Sequence, residues 1–264
     1  DKVEINKIVH ADISVNADLR WSLPHLCEGL KFDGQALYER YEDWRHSVLD
    51  MKAVHPFATR HLEGTISPQS LFEALQAVTD DDTVVVTDVG QHQMWSAQFF
   101  NLNKPRHFIT SGGLGTMGYG LPAAMGAKIG CPQSTVVLFT GDGSIMMNCQ
   151  EFATLHKYGV DVKVVVLHNN VLGMVNQWQR MFYSGHCSQS VISDNPDLTA
   201  LSGAMGVPGL SVRNPEKLDD AVAWLFHTEG PALLDVFIPP DENVYPMVPG
   251  GKRLDQMVLG GVAE

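Results

Sequence analysis

From residue 83 onward, short apolar runs rich in β-branched residues alternate with longer stretches of mixed polarity: TVVVTDVG (83–90), TVVLFTGDG (135–143), VKVVVLHNN (162–170) and ALLDVFI (232–238). Strands that are apolar without alternation are buried on both faces, so these runs predict a parallel sheet with helices on either side. The intervening stretches carry helical spacing. LFEALQAV follows the start signal Ser67-Pro68-Gln69, Ser144 to Lys157 reads as one amphipathic helix, Gly173 to Tyr183 sets Met174, Trp178 and Met181 on one side, and Asn214-Pro215 opens a helix towards His227. Upstream, Leu37, Tyr41, Trp44, Val48 and Met51 recur three or four apart and predict a single helix over 36–54, closed by His55-Pro56. The polar, turn-rich ATRHLEGTISP reads as linker, with a new domain opening near Ile66. The fold class expected is α/β.

Length and charge narrow the classes. A chain of 264 residues can hold one large α/β domain, or one domain plus part of another. Its 30 acidic against 18 basic residues leave a net charge of −12, which argues against nucleic acid as a partner. No apolar run approaches the ~18 residues that cross a bilayer, and DKVEINKIVH lacks the apolar core of a signal peptide, so a soluble protein without a membrane partner is expected. Cys27, Cys131, Cys149 and Cys187 show no C-x-x-C spacing, which fits a reducing, cytoplasmic compartment. The opening residue is Asp1 rather than Met, and DKVEINKIVHADISVNADL reads as the close of a domain, so a fragment is expected.

Candidate chemistry sits at the strand ends. Asp88-Val89-Gly90, Gly141-Asp142-Gly143 and Asn169-Asn170 each follow an apolar run, and open parallel sheets bind ligands beyond their strands' carboxyl ends. SGGLGTMGYG (111–120) contains G-x-G-x-x-G, yet the acidic residue near the required distance, Asp142, lies between two glycines, where it suits phosphate or metal better than a ribose. Tight turns and close helix packing account for these glycines equally well. Gly-Asp-Gly and Asn-Asn taken singly are ordinary turns. Together, at adjacent strand ends, they offer Mg²⁺ a carboxylate from Asp142, an amide oxygen from Asn169 and a main-chain carbonyl from Val171, while a helix starting near Ser144 would face a diphosphate.

With VGQHQMW (89–95), SGGLGTMGYGLPAAMGA (111–127), LGMVNQWQRMFYSG (172–185) and YPMVPGG (245–251), these motifs resemble the large catalytic subunits of the acetohydroxyacid (acetolactate) synthases, thiamine diphosphate-dependent enzymes, over nearly the whole chain. The resemblance implies the thiamine diphosphate-binding fold and four segments: 1–35, the end of an FAD-contacting middle domain with Asp18 as its remnant; 36–65, a connecting helix and linker; 66–250, the cofactor and Mg²⁺ domain; and 251–264, a tail. It implies cofactor contacts from Val89, Gly90, Gln91, His92, Gly115, Met117, Gly141, Asp142, Gly143, Ser144, Asn169, Val171, Leu172, Gly173 and Met174, with Met117 bending the cofactor and Trp178 at the substrate channel. For Trp178 a core aromatic on an amphipathic helix is the plainer alternative.

The implied reaction decarboxylates pyruvate and joins the two-carbon unit to pyruvate or 2-ketobutyrate, in branched-chain amino acid biosynthesis. A homodimer or homotetramer with the site at the subunit interface, and a possible regulatory subunit, come with it. His168 departs from the asparagine of many relatives, and the glutamate that activates the cofactor belongs to an N-terminal domain, so inactivity of this chain alone is expected. Other readings are a related decarboxylase or oxidase such as pyruvate oxidase or glyoxylate carboligase, a noncatalytic dimerisation module, and a dinucleotide dehydrogenase.

Overall fold

The computed structural model describes residues 1–31 and 34–260. The expected segments 1–35 and 251–264 each reach beyond this set, at 32–33 and 261–264. The chain packs as two compact units, Asp1–Pro56 and Phe57–Glu264.

The first unit contains helices α1 (Leu19–Lys31), α2 (Gly34–Arg40) and α3 (Glu42–Val54). Asp18 starts α1: its carboxylate accepts from the Arg20 backbone N–H at 2.8 Å and its carbonyl from Trp21 and Ser22 at 3.0 Å. The single helix expected over 36–54 is instead two, parted at Tyr41 (φ −103°, ψ 15°). The Arg45 guanidinium lies 3.5 Å over the Tyr38 ring and donates to the Tyr38 carbonyl at 3.3 Å, taking up one of the last acceptors of α2.

The second unit opens on Phe57. The Arg60 guanidinium donates to the Asp241 carbonyl at 2.7 Å and pairs with the carboxylates of Asp241 (3.0 Å) and Glu242 (3.4 Å), so part of the expected linker is tied to the far end of this unit. Helix α4 (Pro68–Ala77) starts as the sequence predicts, with Ser67 Oγ accepting from Ser70 N and Ser70 Oγ from Ser67 N, both at 3.1 Å. Then follow β1 (Val84–Thr87), α5 (Gln91–Phe99), β2 (Phe108–Thr110), α6 (Gly120–Gly130), β3 (Val136–Gly141), α7 (Asp142–Ile145), α8 (Glu151–Tyr158), β4 (Lys163–His168), α9 (Gly173–Phe182), α10 (Leu198–Ala204), β5 (Gly209–Val212), α11 (Leu218–His227) and β6 (Ala232–Phe237).

All six strands pair in parallel, in the order β2-β1-β3-β4-β6-β5. The four apolar runs form the central strands, while the short β2 and β5 hold the edges. Successive residues of a strand face opposite sides, and here both sides are dry. Val85, Val137, Phe139, Val165 and Leu167 pack with α4, α5 and α11; Val84, Val86, Leu138, Val164 and Val166 pack with α6, α8 and α10. The α/β class expected from the apolar runs is thus found. The chain leaves β1 for one side of the sheet and β3 for the other, which makes the β1–β3 crevice the topological switch point.

One helix boundary needs correcting at this crevice. The amphipathic helix expected over 144–157 is a single turn, α7, followed by a separate α8. Asn148 breaks it: its side chain donates to the Gly118 carbonyl at 2.6 Å, and its own carbonyl restarts the helix by accepting from Glu151 at 3.0 Å. Four residues carry little macrodipole, so any anion here meets local N–H groups rather than the end of a long helix. Among the described residues no helix is long and apolar enough to cross a membrane.

Candidate functional site

Register brings the candidate loops together. Pairing of Gly141 with Leu167 puts Asp142 beside His168 and the Asn169 loop, and pairing of Thr87 with Phe139 puts Asp88 next to Thr140. Asp88 is buried and spends its carboxylate on the main chain: Oδ1 accepts from Val89 and Gly118 N–H, both at 2.9 Å, and Oδ2 from Gly120 N–H at 3.3 Å. Burial pushes its pKa up, and those backbone donors work against the rise. With Asn148 holding the Gly118 carbonyl, Gly118, the residue after Met117, is gripped at both its N–H and its C=O. Gly118 has φ 87°, and a Cβ there would lie 2.9 Å from Met147 Cβ. Gly118 therefore serves a turn, and Gly120, where a Cβ would lie 2.8 Å from Leu138 Cδ1, serves close packing; neither role needs a dinucleotide.

Asp142 is 1% exposed, and its Oδ2 accepts from the Asn170 N–H at 3.0 Å. Burial raises its pKa to about 6, against the opposing charge of His168 and nearby backbone donors. His168, the departure noted in the sequence, stands with Nε2 3.7 Å from Asp142 Oδ2 and Nδ1 2.9 Å from Asp235 Oδ1, its ring stacked on Phe237. Burial pulls the ring's pKa down, but the bond to Asp235 and the charges of Asp235 and Asp142 outweigh it and hold the pKa above the usual histidine value. The neighbouring loop is pinned on both flanks, as Leu172 N–H donates to Ser190 O at 2.7 Å and Ile192 N–H to Asn170 O at 2.8 Å. Asn170 itself has φ 60°, the left-handed region that asparagine tolerates.

His92 is buried and its Nε2 has no partner. Desolvation drops its pKa to about 3, with a backbone bond from Asp88 pulling the other way, so the ring is neutral. A buried ring nitrogen without a protein partner is satisfied only by a group from outside the chain, whether water, ion or ligand.

These groups border one cavity of about 630 Å³. From the β1 end it is lined by Val89, Gly90, Gln91 and His92; from the turn before α6 by Gly115 and Met117; from the β3 end by Gly141, Asp142, Gly143 and Ser144; and from the β4 end by Asn169, Val171, Leu172, Gly173, Met174 and Trp178. All fifteen cofactor contacts that the resemblance implies, and Trp178, border this cavity. Trp178 is 37% exposed and meets Phe182 edge-on at 5.2 Å, so the core-aromatic alternative does not describe it. The cavity also takes Pro246, Met247 and Val248 from the YPMVPGG segment, residues not assigned individually beforehand. Asp88, Asn148 and Gln177 act behind the lining; their partners lie 30 or more positions away in the chain, a distance no local motif spans. Asp18 is exposed, and its carboxylate pairs with Arg20 at 3.2 Å.

The oxygen donors at Asp142, Asn169 and Val171 suit a hard divalent cation. Among the described residues there is no cluster of three His, Cys, Asp or Glu that would suggest a different metal centre.

Comparison with known proteins gives concordant results. The family model for the C-terminal thiamine pyrophosphate-binding domain of thiamine pyrophosphate enzymes matches residues 88–236, more than half of the chain. The acetolactate synthase large subunit of Lactococcus lactis is 40% identical over 258 residues, covering 98% of this chain and 44% of that protein. The Escherichia coli acetolactate synthase isozyme 2 large subunit is 39% identical, with 98% and 45% covered, and the chloroplastic acetolactate synthase 1 of Nicotiana tabacum is 37% identical, with 99% and 40% covered. The chain spans less than half the length of these relatives.

Proposed function

The chain belongs to the thiamine pyrophosphate enzyme family, and from that premise we propose that it is the C-terminal, cofactor-holding part of an acetolactate synthase large subunit. The observation that carries this reading is the convergence of the fifteen implied cofactor contacts on one cavity at the carboxyl ends of β1, β3 and β4. The parent enzyme would decarboxylate pyruvate and condense the two-carbon unit with pyruvate or 2-ketobutyrate, the route to branched-chain amino acids. Segment 66–250 would be the cofactor domain, 1–35 the end of a middle domain, 36–65 the connection and 251–264 a tail.

The residues present fit the cofactor. Asp142, Asn169 and the Val171 carbonyl would hold Mg²⁺, and backbone N–H groups of Gly90, Gln91, Gly143, Ser144, Gly173 and Met174 would meet the diphosphate beside the His92 ring. Thiamine diphosphate, when bound, supplies the carbanion and electron sink that the protein side chains lack. The chain's own work is placement. Asp88 and Asn148 fix the turn that carries Met117, which would sit beneath the cofactor and bend it. Trp178, at the mouth, would select the second ketoacid. The apolar lining from Leu172, Met174 and Met247 keeps water from the reacting carbon.

FAD is a different matter: Asp18, the residue set aside for it, is taken by Arg20, and no role for FAD is derived in this chain. A homodimer or homotetramer with a shared site, a possible regulatory subunit and a cytoplasmic location belong to the same reading; the four free cysteines support a reducing compartment. The test is acetolactate formation from pyruvate with thiamine diphosphate and Mg²⁺. The chain alone is expected to be inactive and a protein extended to the full length of its relatives active. Turnover by the chain alone, or a different product from the extended protein, would refute the reading.

A further inference from the structure

Behind the cavity a line of buried carboxamides runs from the main chain to Asn169. Gln177 is 0% exposed and pairs with Val244 twice, its Oε1 accepting from Val244 N–H at 2.9 Å and its Nε2 donating to Val244 O at 3.0 Å. A main-chain N–H and C=O cannot exchange roles, so this pairing fixes which way the Gln177 amide faces. Gln177 Oε1 then accepts from Gln91 Nε2 at 2.8 Å, and the second hydrogen of that nitrogen goes to the Glu242 carbonyl at 2.9 Å. Gln91, 3% exposed, is left with Oε1 facing Asn169, whose Nδ2 donates to it at 3.2 Å. Asn169 Oδ1 must therefore face away from Gln91, and there it accepts from Val171 N–H at 3.2 Å.

We propose that Gln91 is a positioning residue that sets the orientation of the Asn169 carboxamide, holding its oxygen away from Gln91 and free for a metal ion. Both hydrogens of the Gln91 amide are spent on Gln177 and Glu242, so the side chain has no donor for a diphosphate, and its effect passes through Asn169. Gly173 adds an independent observation. A Cβ at that position would collide with the Gln91 carboxamide, 2.7 Å from Cδ, and would come within 3.0 Å of Asn169 Nδ2. Only glycine leaves room for the line to close. The inference rests on the metal role given to Asn169 above, and it deepens that role by naming what orients the ligand.

The test is a double-mutant cycle on the full chain, reading the Mg²⁺ concentration that half-saturates thiamine diphosphate binding by quenching of Trp95 and Trp178, both of which line the cavity. Gln91→Met should raise that concentration roughly 10- to 100-fold, the usual effect of removing a partner that orients a metal ligand. In an Asn169→Asp background, where a carboxylate presents oxygen either way round, the same substitution should change it by less than about twofold, because orientation no longer matters. An unchanged Mg²⁺ requirement in the Gln91→Met variant, or the same factor in both backgrounds, overturns the inference while leaving the cofactor reading intact. Absence of Mg²⁺-dependent binding in the unsubstituted chain overturns both. Should the Met variant lose its thermal transition, Gln91→Asn, too short to reach Asn169, takes its place in the cycle with the same expected factors.

Discussion

At the scale of single residues, burial sets the direction of the shift for the two titrating groups that line the cavity, His92 and Asp142, and they pull in opposite directions. His92 has its pKa lowered to about 3, so the unfolded chain binds its proton first: the stability it contributes is present above pH 6.5 and is lost as pH falls towards 3. Asp142 has its pKa raised to about 6, so the folded chain holds that proton between pH 3.8 and 6, and stability falls as pH rises through this window. The two slopes nearly cancel near pH 5. Replacing His92 by Gln should uncover the Asp142 slope. Urea denaturation at successive pH values should then show stability falling with rising pH between 4 and 6 by about 1.4 kcal/mol per unit relative to the parent protein. Parallel profiles for the two proteins would mean that His92 is not buried as described. Asp88 offers a second check. Asp88→Ala leaves the Gly118 and Gly120 N–H groups unpaired and should cost at least roughly 1–3 kcal/mol in the same experiment. The placement of Asp142 and Asn169 side by side at the cavity was legible in the sequence because Gly-Asp-Gly and Asn-Asn sit at strand ends with a distinctive separation. The role of Asp88 was not, since the groups it holds are reached only through the fold.

At the scale of elements, legibility followed the length and the dryness of each segment. The four apolar runs appear as the central strands because burial on both faces leaves a continuous signal. The edge strands β2 and β5, of 3 and 4 residues, are too short to show a period, and β5 has one exposed position. Two helices were expected to be longer than they are, for a common reason: side chains of Arg45 and Asn148 take carbonyls that lie outside the helical pattern, and periodicity does not register such bonds. Where a cap is local, the sequence read it well. Ser67 and Ser70 bond reciprocally at the start of α4, and Ser67→Ala should lower stability by about 1 kcal/mol, measured as a shift in the urea midpoint with an unchanged m-value. No shift would show that the cap is redundant with the Pro68 start.

On the scale of the whole molecule, the second unit carries both dry cores and the entire cavity, which explains why one stretch of chain holds nearly every motif that the sequence offered. The relatives extend over more than twice this length. On the proposed function, cofactor holding belongs to this chain and turnover to a protein of the relatives' full length. The central claim is that Asp142 holds Mg²⁺ against a diphosphate at the β1–β3 switch point. The most direct measurement is calorimetric titration of thiamine diphosphate into the chain at pH 7.5, with and without Mg²⁺, for the parent protein and for Asp142→Ala. The account predicts binding to one site that needs Mg²⁺ and is lost, by at least about 100-fold, in the variant. Binding of equal strength in both proteins, or binding indifferent to Mg²⁺, would contradict it.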